Sequence, residues 1–411
     1  MHGDQPKVLY TLMGESLIHH VLDSTLDLKP REVGVIVGHG AAEVQSALSD
    51  HAVTFCRQRE QKGTGHAVRA ASRAFSGRKG HVMILSGDVP LIRAATLQKF
   101  FEDHKKSRSG VSVITASMDS PGSLGRVSRD EAGNVVGIVE ARDADFAELA
   151  IREINSGIYL FRNSVLFDGL KRLRPHTGSG EVYLTDLIRH HAEAGKRVNA
   201  VNIGDPAEVM GVNTVAELVQ AQAVLRHHIV MHHAARGVEF VDPSSTFVAK
   251  GAQIGRGTVV WPFSVIMGGV SIGARCRIGP FAHIRGGTQV GDGSQVGSFV
   301  EMKETVLGPD SLALHLAYLG DTTVGAGVNI GAGTITANFD GNSKHKTSIE
   351  DGASIGAGTV LVAPVTVGAK ARTGAGAVVL SDADIESGDL VAGVPAKKIK
   401  TRRSKKAAQK K

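Results

Sequence analysis

Residues 254–284 read IGRGTVVWPFSVIMGGVSIGARCRIGPFAHI, and an aliphatic residue returns in them at every sixth position. Ile254, Val260, Ile266, Ile272, Ile278 and Ile284 carry that beat, and Val290, Val296 and Met302 continue it, commonly followed by Gly or another small residue. The phase slips near Leu307, returns as Val324 and Ile330, and after a polar excursion resumes at Ile349, Ile355, Leu361, Val367, Thr373, Val379, Ile385 and Val391. A helix repeats near 3.6 residues and a strand at 2, so neither accounts for this spacing. A parallel β-helix does: each triangular coil takes three hexads, whose aliphatic residues fill the shaft while small residues turn the corners.

The composition agrees. Glycine is abundant at 50 residues while aromatics make up only 4%, a balance suited to tight turns around small and β-branched side chains. The excursion ANFDGNSKHKT, between Thr336 and Ser348, breaks the repeat with Gly, Asn and Lys. It should project from the shaft as a loop, and insertions on solenoids tend to map to binding faces.

Upstream the rhythm differs. From residue 7 to about 215, apolar runs alternate with amphipathic segments: EVGVIVGHG and HVMILSGD read as buried parallel strands, GHAVRAASRAF and AATLQKFFEDHKK as helices. This is an α/β domain, in which ligands gather beyond the carboxyl ends of the strands, here at Gly38, Gly40, Gly87 and Asp88. TVAELVQAQAVLRHHIVMHHAARG then runs for about six turns without Pro, ending at Gly237, as a long connector helix. Its four histidines include i,i+4 spacings, but without neighbouring carboxylates or cysteines they read as helix-surface residues. The expected organisation is an α/β domain over 1–215, a linker helix over 216–236, a β-helix over 237–396 and a basic disordered tail over 397–411.

Charge and cysteines exclude several classes. The formal charge of +7 resides in the tail, where nine basic and no acidic residues lie between Lys397 and Lys411, leaving the remainder near −2. Nucleic-acid binding does not follow from a solvated tail. Cys56 and Cys276 are the only cysteines, so no disulfide framework or Cys-based zinc site is indicated. No apolar run reaches the roughly 18 residues of a membrane helix. A soluble, cytoplasmic protein is expected.

Short motifs carry more. PKVL, GTGHAV, GDVPLI, GIVE, EINSGIY, GEVYLTD and GVN stand in the first domain, and IGPFAHIR, VGSFVEMK, HLAYLGD, NIGAGTITANFDG and LVAPVTVG in the second. In this order, over Pro6 to about Pro395, the chain resembles the bacterial bifunctional N-acetylglucosamine-1-phosphate uridyltransferase/glucosamine-1-phosphate N-acetyltransferase family. The resemblance implies an α/β Rossmann-like nucleotidyltransferase domain plus a left-handed parallel β-helix, and assembly as a homotrimer whose pockets are built from neighbouring subunits.

It also implies two chemistries. In the first, N-acetylglucosamine-1-phosphate attacks the α-phosphorus of UTP, a reaction governed by positioning and charge neutralisation. By resemblance Asp88 and Asn213 hold Mg2+, Lys7 neutralises phosphate, Gln58, Gly63 and Thr64 grip uracil, and Gly125, Glu140 and Asn155 hold the sugar. In the second, acetyl passes from acetyl-CoA to the amine of glucosamine-1-phosphate. An ammonium is not a nucleophile, so a base must take a proton, and His315 in ALHLAYLGD is the candidate. The resemblance makes Glu301 the group that orients this imidazole. Arg285, Lys303 and Lys344 match a clamp on the sugar phosphate, Tyr318 and Asn329 its remaining sugar contacts. Asn338 matches the group that polarises the acetyl carbonyl or binds its carrier, with backbone groups of Ala332 and Ala375 along the pantetheine arm. Ala357 stands where the family often has a cofactor-contacting Ser, and Gly393 where a basic residue often helps bind the cofactor phosphate.

The opening of the chain departs from the family. Relatives reach PKVL after a hydrophobic strand and a glycine-rich loop whose N–H groups cradle nucleotide phosphates; here only Gly3 precedes it. The expectation is an N-terminally shortened chain, an open edge or gap in the sheet, and a uridyltransferase half without its phosphate grip. Two alternatives follow: an acetyltransferase whose first domain is non-catalytic, and a non-catalytic assembly subunit. The joint presence of His315, Glu301, Arg285, Lys303 and Lys344 weighs against the latter.

Overall fold

The computed structural model describes residues 5–177 and 180–399. It divides into two compact units, Met1–Val224 and Leu225–Lys411.

The first unit opens on a small antiparallel pair, β1 (Thr11–Leu12) and β2 (Glu15–Ser16). Its main sheet contains β5 (His81–Ile84), β6 (Val111–Ser117), β7 (Arg126–Arg129), β8 (Val135–Val139), β9 (Glu153–Arg162) and β10 (Val198–Ile203) in the order β10-β6-β9-β7-β8, with β5 also on β9. Alternating apolar runs bury β6 on both faces, where Val111, Val113 and Ile114 pack with Ile158, Leu160 and Phe161. β3 (Gly34–Val37) and β4 (Thr54–Arg57) form a separate parallel pair.

Two expectations change. HVMI in β5 pairs antiparallel with β9, because the ten-residue β9 runs against both β5 and β6. The residues of β3 and β5 are also mostly half-buried instead of fully buried. Each has one edge without a strand partner among the described residues.

A buried polar chain lies in this unit. His104 is 1% exposed, and its ring nitrogens meet His81 Nδ1 at 3.0 Å and Ser112 Oγ at 2.6 Å. Burial first, then His81 and Arg162, push its pKa down to about 4. The unfolded chain takes up this proton near pH 6.5, whereas the folded chain refuses it until about pH 4. Stability therefore falls as pH drops through that window, by up to about 3 kcal/mol. Hydrogen exchange of the β6 amides, corrected for intrinsic pH dependence, should show this decline. His104→Gln should flatten it; an unchanged slope would remove His104 as its source.

The expected connector is a helix over Val215–Ala234, closed by Gly237 in a left-handed conformation (φ 88°) whose N–H reaches Ala234 O at 2.9 Å. A Cβ at Gly237 would come within 2.9 Å of Arg256 Cγ. Among the described residues no group of three His, Cys, Asp or Glu is arranged for a metal, the helix histidines included.

The second unit is a three-sided parallel β-helix. Strands starting with Glu239–Phe240, Phe247–Val248 and Gln253–Ile254 found a first, second and third sheet, and each coil lays its strands on those of the coil before. Val259 pairs with Arg277, eighteen residues on, so hexads stack in register. Val260, Ile266, Ile278, Ile284, Val296 and Met302 are fully buried in the shaft. Each large aliphatic side chain so buried contributes roughly 1.5–3 kcal/mol.

The slip at Leu307 is not a loss of the fold. Leu307, Ala313 and Leu319 fill the shaft in turn after one residue is deleted at a corner, and a second deletion separates Leu319 from Val324. Ile330 and then Thr336 fill the following positions, the buried Oγ1 of Thr336 accepting from Gly320 N at 2.8 Å. The polar excursion then projects between the strands Ile335–Ala337 and Thr347–Ile349. Both deletions and the insertion occur at the corner between second and third sheets. Lys397–Lys398 pair antiparallel with Leu390–Ala392, so the tail begins as a strand; residues 400–411 lie outside the described ones.

The corner between first and second sheets has a different character. Phe263, Phe281, Phe299 and Leu316 occupy left-handed backbone there, and Gly333, Gly358 and Gly376 continue the column. The left-handed region is unfavourable for residues with a Cβ. Stacking offsets part of that cost: ring centroids lie 4.9 Å apart for Phe263–Phe281 and 5.0 Å for Phe281–Phe299. All four large side chains are exposed, forming an apolar stripe.

Candidate active sites

In the first unit a cation is seated between two oxygens. Lys7 Nζ donates to Asp88 Oδ2 at 2.6 Å and to Asn213 Oδ1 at 2.7 Å. Asp88 follows β5, and its carbonyl accepts from Val212 N at 2.8 Å, tying the approach to Asn213 against it. Glu217 Oε2 fixes the far side, accepting from the backbone N–H groups of Asn213 and Thr214 at 2.7 and 2.8 Å. Gly87 packs closely here: a Cβ would lie 3.0 Å from Ile18 Cδ1, which would have to yield slightly. One carboxylate and one amide oxygen fit a hard cation such as Mg2+, which usually takes one or two protein ligands and completes its shell with water and phosphate.

The other first-unit residues form two further groups. Gln58 Nε2 meets His66 Nδ1 at 3.1 Å and Gly63 O at 3.4 Å. Gly63 is left-handed (φ 93°), and a Cβ there would stand 2.6 Å from Val182 O. Thr64 Oγ1 accepts from Leu184 N at 3.0 Å, so the segment 182–184 closes over this turn. Gly38, at the end of β3, lies against Gln58 and Gln61. In the third group, Asn155 N donates to Gly125 O at 2.9 Å, and Asn155 Nδ2 donates to Tyr159 Oη at 2.8 Å. A register shift between Val113 and Thr115 precedes the pairing of Thr115 with Asn155, so the bulge sets where that amide sits. Glu140 accepts from Thr185 Oγ1 at 3.2 Å, and burial pushes its carboxyl above the usual range. His66 and Thr185 lie within the GTGHAV and GEVYLTD motifs but carry no role of their own there, and Glu217 has a local signal in the Thr-x-x-Glu capping pattern at 214–217.

On the β-helix, Lys303 pairs in register with Gly320. A Cβ on Gly320 would lie 2.6 Å from Tyr318 Oη and 2.7 Å from Asn338 Nδ2, so hydroxyl and amide converge over a residue that must lack a side chain. Asn338 also donates to Asp321 Oδ2 and is nearly buried. The neighbouring Lys344 ammonium, then desolvation and Arg285, hold Lys303 below the usual lysine range. These residues make a polar, cationic patch on the second sheet and its far corner.

Glu301 departs from expectation. Its carboxylate accepts from Arg285 Nη1 at 2.9 Å, and among the described residues no hydrogen bond joins it to His315. Glu301 opens its second-sheet strand between His283 and Tyr318, and His315 ends the first-sheet strand Leu312–His315 at that same corner one coil on, while the carboxylate is turned to Arg285. The imidazole is exposed there.

His315 nonetheless stands in a meaningful line. His315, Ala332, Ala357 and Ala375 each directly precede a left-handed corner residue: Leu316, Gly333, Gly358 and Gly376. Backbone bonds stack this column, Gly333 N to His315 O at 3.2 Å, Gly358 N to Ala332 O at 2.7 Å and Gly376 N to Ala357 O at 2.8 Å. Beyond His315 the corner therefore changes from a stripe of large apolar side chains to a column of glycines. Asn338 lies apart from this column, across the second sheet, and Asn329 is exposed on the first sheet between Leu312 and Ser354.

The sequence matches the nucleotidyl transferase family over residues 2–206 and the bacterial transferase hexapeptide family (six repeats) over residues 251–286 and 272–303. Its relatives include "Bifunctional protein GlmU" of Heliobacterium modesticaldum, 40% identical over 415 residues, spanning 93% of this chain and 90% of that relative. The protein of the same name from Syntrophotalea carbinolica is 40% identical over 416 residues, spanning 93% and 89%. That from Shouchella clausii is 37% identical over 409 residues, spanning 92% and 90%.

Proposed function

The chain belongs to the bifunctional GlmU family, and on that premise we propose that it makes UDP-N-acetylglucosamine in two steps. Acetyl passes from acetyl-CoA to glucosamine-1-phosphate, and uridylyl then passes from UTP to the N-acetylated product. The observation that carries the first step is the convergence of Tyr318 and Asn338 over Gly320, flanked by Lys303 and Lys344.

Arg285, Lys303 and Lys344 take the phosphate dianion through charge-assisted hydrogen bonds. Tyr318 and Asn329 hold the sugar. Acetyl-CoA lies along the column of Ala332, Ala357 and Ala375 of one chain, and Asn338, across the second sheet from that column, meets its acetyl end from a neighbouring chain. As the amine nitrogen bonds to the thioester carbon, His315 removes its proton; the tetrahedral intermediate then expels the coenzyme thiolate. Drawing Arg285 onto phosphate loosens its hold on Glu301, whose carboxylate is then available to steady the imidazolium.

Uridylyl transfer belongs to the first unit. Asp88 and Asn213 would hold Mg2+, which neutralises phosphate charge when bound. Lys7, seated between them, moves onto the nucleotide phosphates. Gln58, Gly63 and Thr64 address the base, while Gly125, Glu140 and Asn155 address the sugar.

The exposed Phe263–Phe281–Phe299 stripe favours self-association, since contiguous apolar surface of this kind marks contact sites. A homotrimer brings Asn329 of one chain toward the patch of another, and should sediment at three times the 43.1 kDa of the chain. A cytoplasmic setting suits Cys56 and Cys276, both free thiols. Among the described residues no helix is long and apolar enough to cross a membrane.

The test is two assays on purified protein: thiol release from acetyl-CoA with glucosamine-1-phosphate, and pyrophosphate release from UTP with its N-acetyl form. Both products are expected, with Mg2+ stimulation confined to the second. Thiol release alone would reduce the first unit to a non-catalytic element. Arg285→Met should raise the KM for glucosamine-1-phosphate about 20-fold, the loss of one charge-assisted contact. An unchanged KM would remove Arg285 from the clamp.

A further inference from the structure

The excursion at 338–346 is a built hairpin. Phe339 bridges Lys344 in antiparallel fashion, and His345 N donates to Asn338 O at 2.8 Å. Asp340 organises the turn, its Oδ1 accepting from Asn342 N at 2.8 Å and Ser343 N at 2.7 Å. Its other oxygen reaches across the hairpin to His345 Nε2 at 2.7 Å. These bonds hold the Asp340 carboxyl far below its ordinary range, Ser343 N–H first and His345 next.

The hairpin stands against an opposing force. Lys344 sits beside Lys303 and the two ammonium groups repel, a repulsion that the Asp321 carboxylate, acting on both, offsets in part. The bonds of the hairpin itself supply the rest of what keeps Lys344 in place. Asn338 anchors one end of the hairpin through Asp321; the Asp340–His345 pair ties the other strand, next to Lys344 itself.

We propose that the Asp340–His345 pair is a latch that holds this hairpin closed, keeping Lys344 set against Lys303 so that the sugar phosphate meets a preassembled clamp. The inference rests on the acetyl-transfer reading above and adds positioning residues to it. A latch lowers the reorganisation needed for binding and does no chemistry, so its loss acts on KM and spares kcat.

The test uses the full chain carrying His345→Ala, His345→Gln or Asp340→Asn, with thiol release measured against glucosamine-1-phosphate concentration. His345→Ala should raise KM about fivefold with kcat within twofold, and His345→Gln, which keeps a side-chain N–H donor, should restore most of it. Asp340→Asn, which keeps an acceptor but not the charge, should fall between. Amide hydrogen exchange over 338–346 gives an independent readout, expected to quicken at least fivefold in His345→Ala. An unchanged KM, a fall in kcat alone, or unchanged exchange would overturn the latch. Should wild-type protein release no thiol, the acetyl-transfer reading fails by itself, while the exchange arm still decides the latch.

Discussion

His315→Ala is expected to lower thiol release from acetyl-CoA by about 10³-fold, within the usual span of a lost general base. That corresponds to roughly 4 kcal/mol of transition-state stabilisation. The ground is chemical: the acceptor amine is protonated near neutral pH, and thioester attack requires that proton to leave. The imidazole is exposed at the corner where the column of glycines begins, in line with Ala332, Ala357 and Ala375. Its removal leaves the shaft and the cationic patch untouched, so both KM values should stay within about threefold. Pyrophosphate release by the first unit serves as internal control and should not change. Thiol release within threefold of wild type would dismiss His315 as the base.

Asp88→Asn is expected to lower pyrophosphate release from UTP by about 10²-fold and to shift its Mg2+ dependence to higher concentration. The substitution keeps an oxygen acceptor for Lys7 but removes the negative charge. A carboxylate binds a hard divalent cation far better than an amide does, and Asn213 already supplies an amide oxygen. The segment is rigidly set, through Val212 N on the Asp88 carbonyl and Glu217 under Asn213, so the effect reads as lost charge and not as a displaced loop. Thiol release should be unaffected. Pyrophosphate release with wild-type Mg2+ dependence in Asp88→Asn would place the cation elsewhere.

The shaft was legible because its period is dictated by covalent geometry: every sixth side chain points inward, and Ile, Val and Leu announce that face. Legibility failed where the inward residue was small or polar. Ala313 and Thr336 continue the shaft, but Ala is ambiguous in a sequence and Thr reads as surface until its hydroxyl finds Gly320 N. One-residue corner deletions before Leu307 and Val324 then shift the phase enough to resemble its end. In the first unit the apolar run of β5 was visible and its direction was not. A hydrophobic strand carries no sign of whether its neighbour runs parallel, and β9 decided it.

The candidate site divides along the same line. Lys303 closes the motif VGSFVEMK and Lys344 lies in the excursion ANFDGNSKHKT, and their proximity emerges only once the hairpin folds back. The resemblance sets Glu301 behind His315; in the structure the two flank one corner and the Glu301 carboxylate accepts from Arg285. Pairings between successive coils depend on where corners lose a residue, which local patterns do not encode. His345 could not be read as a partner for Asp340 from the loop's composition, because a five-residue separation faces across a hairpin only when the turn between is fixed.

The proposed acetyl-transfer site of the β-helix is the one built around His315 and the Arg285–Lys303–Lys344 patch. Its most direct test follows carbon from donor to product: acetyl-CoA labelled with carbon-13 in the acetyl carbonyl, incubated with the full chain and glucosamine-1-phosphate, and the sugar phosphate analysed by mass spectrometry and NMR. The predicted result is labelled N-acetylglucosamine-1-phosphate with an amide carbonyl resonance, formed in proportion to thiol and abolished by His315→Ala. Thiol release with the label recovered as free acetate, or no transfer at all, would contradict it.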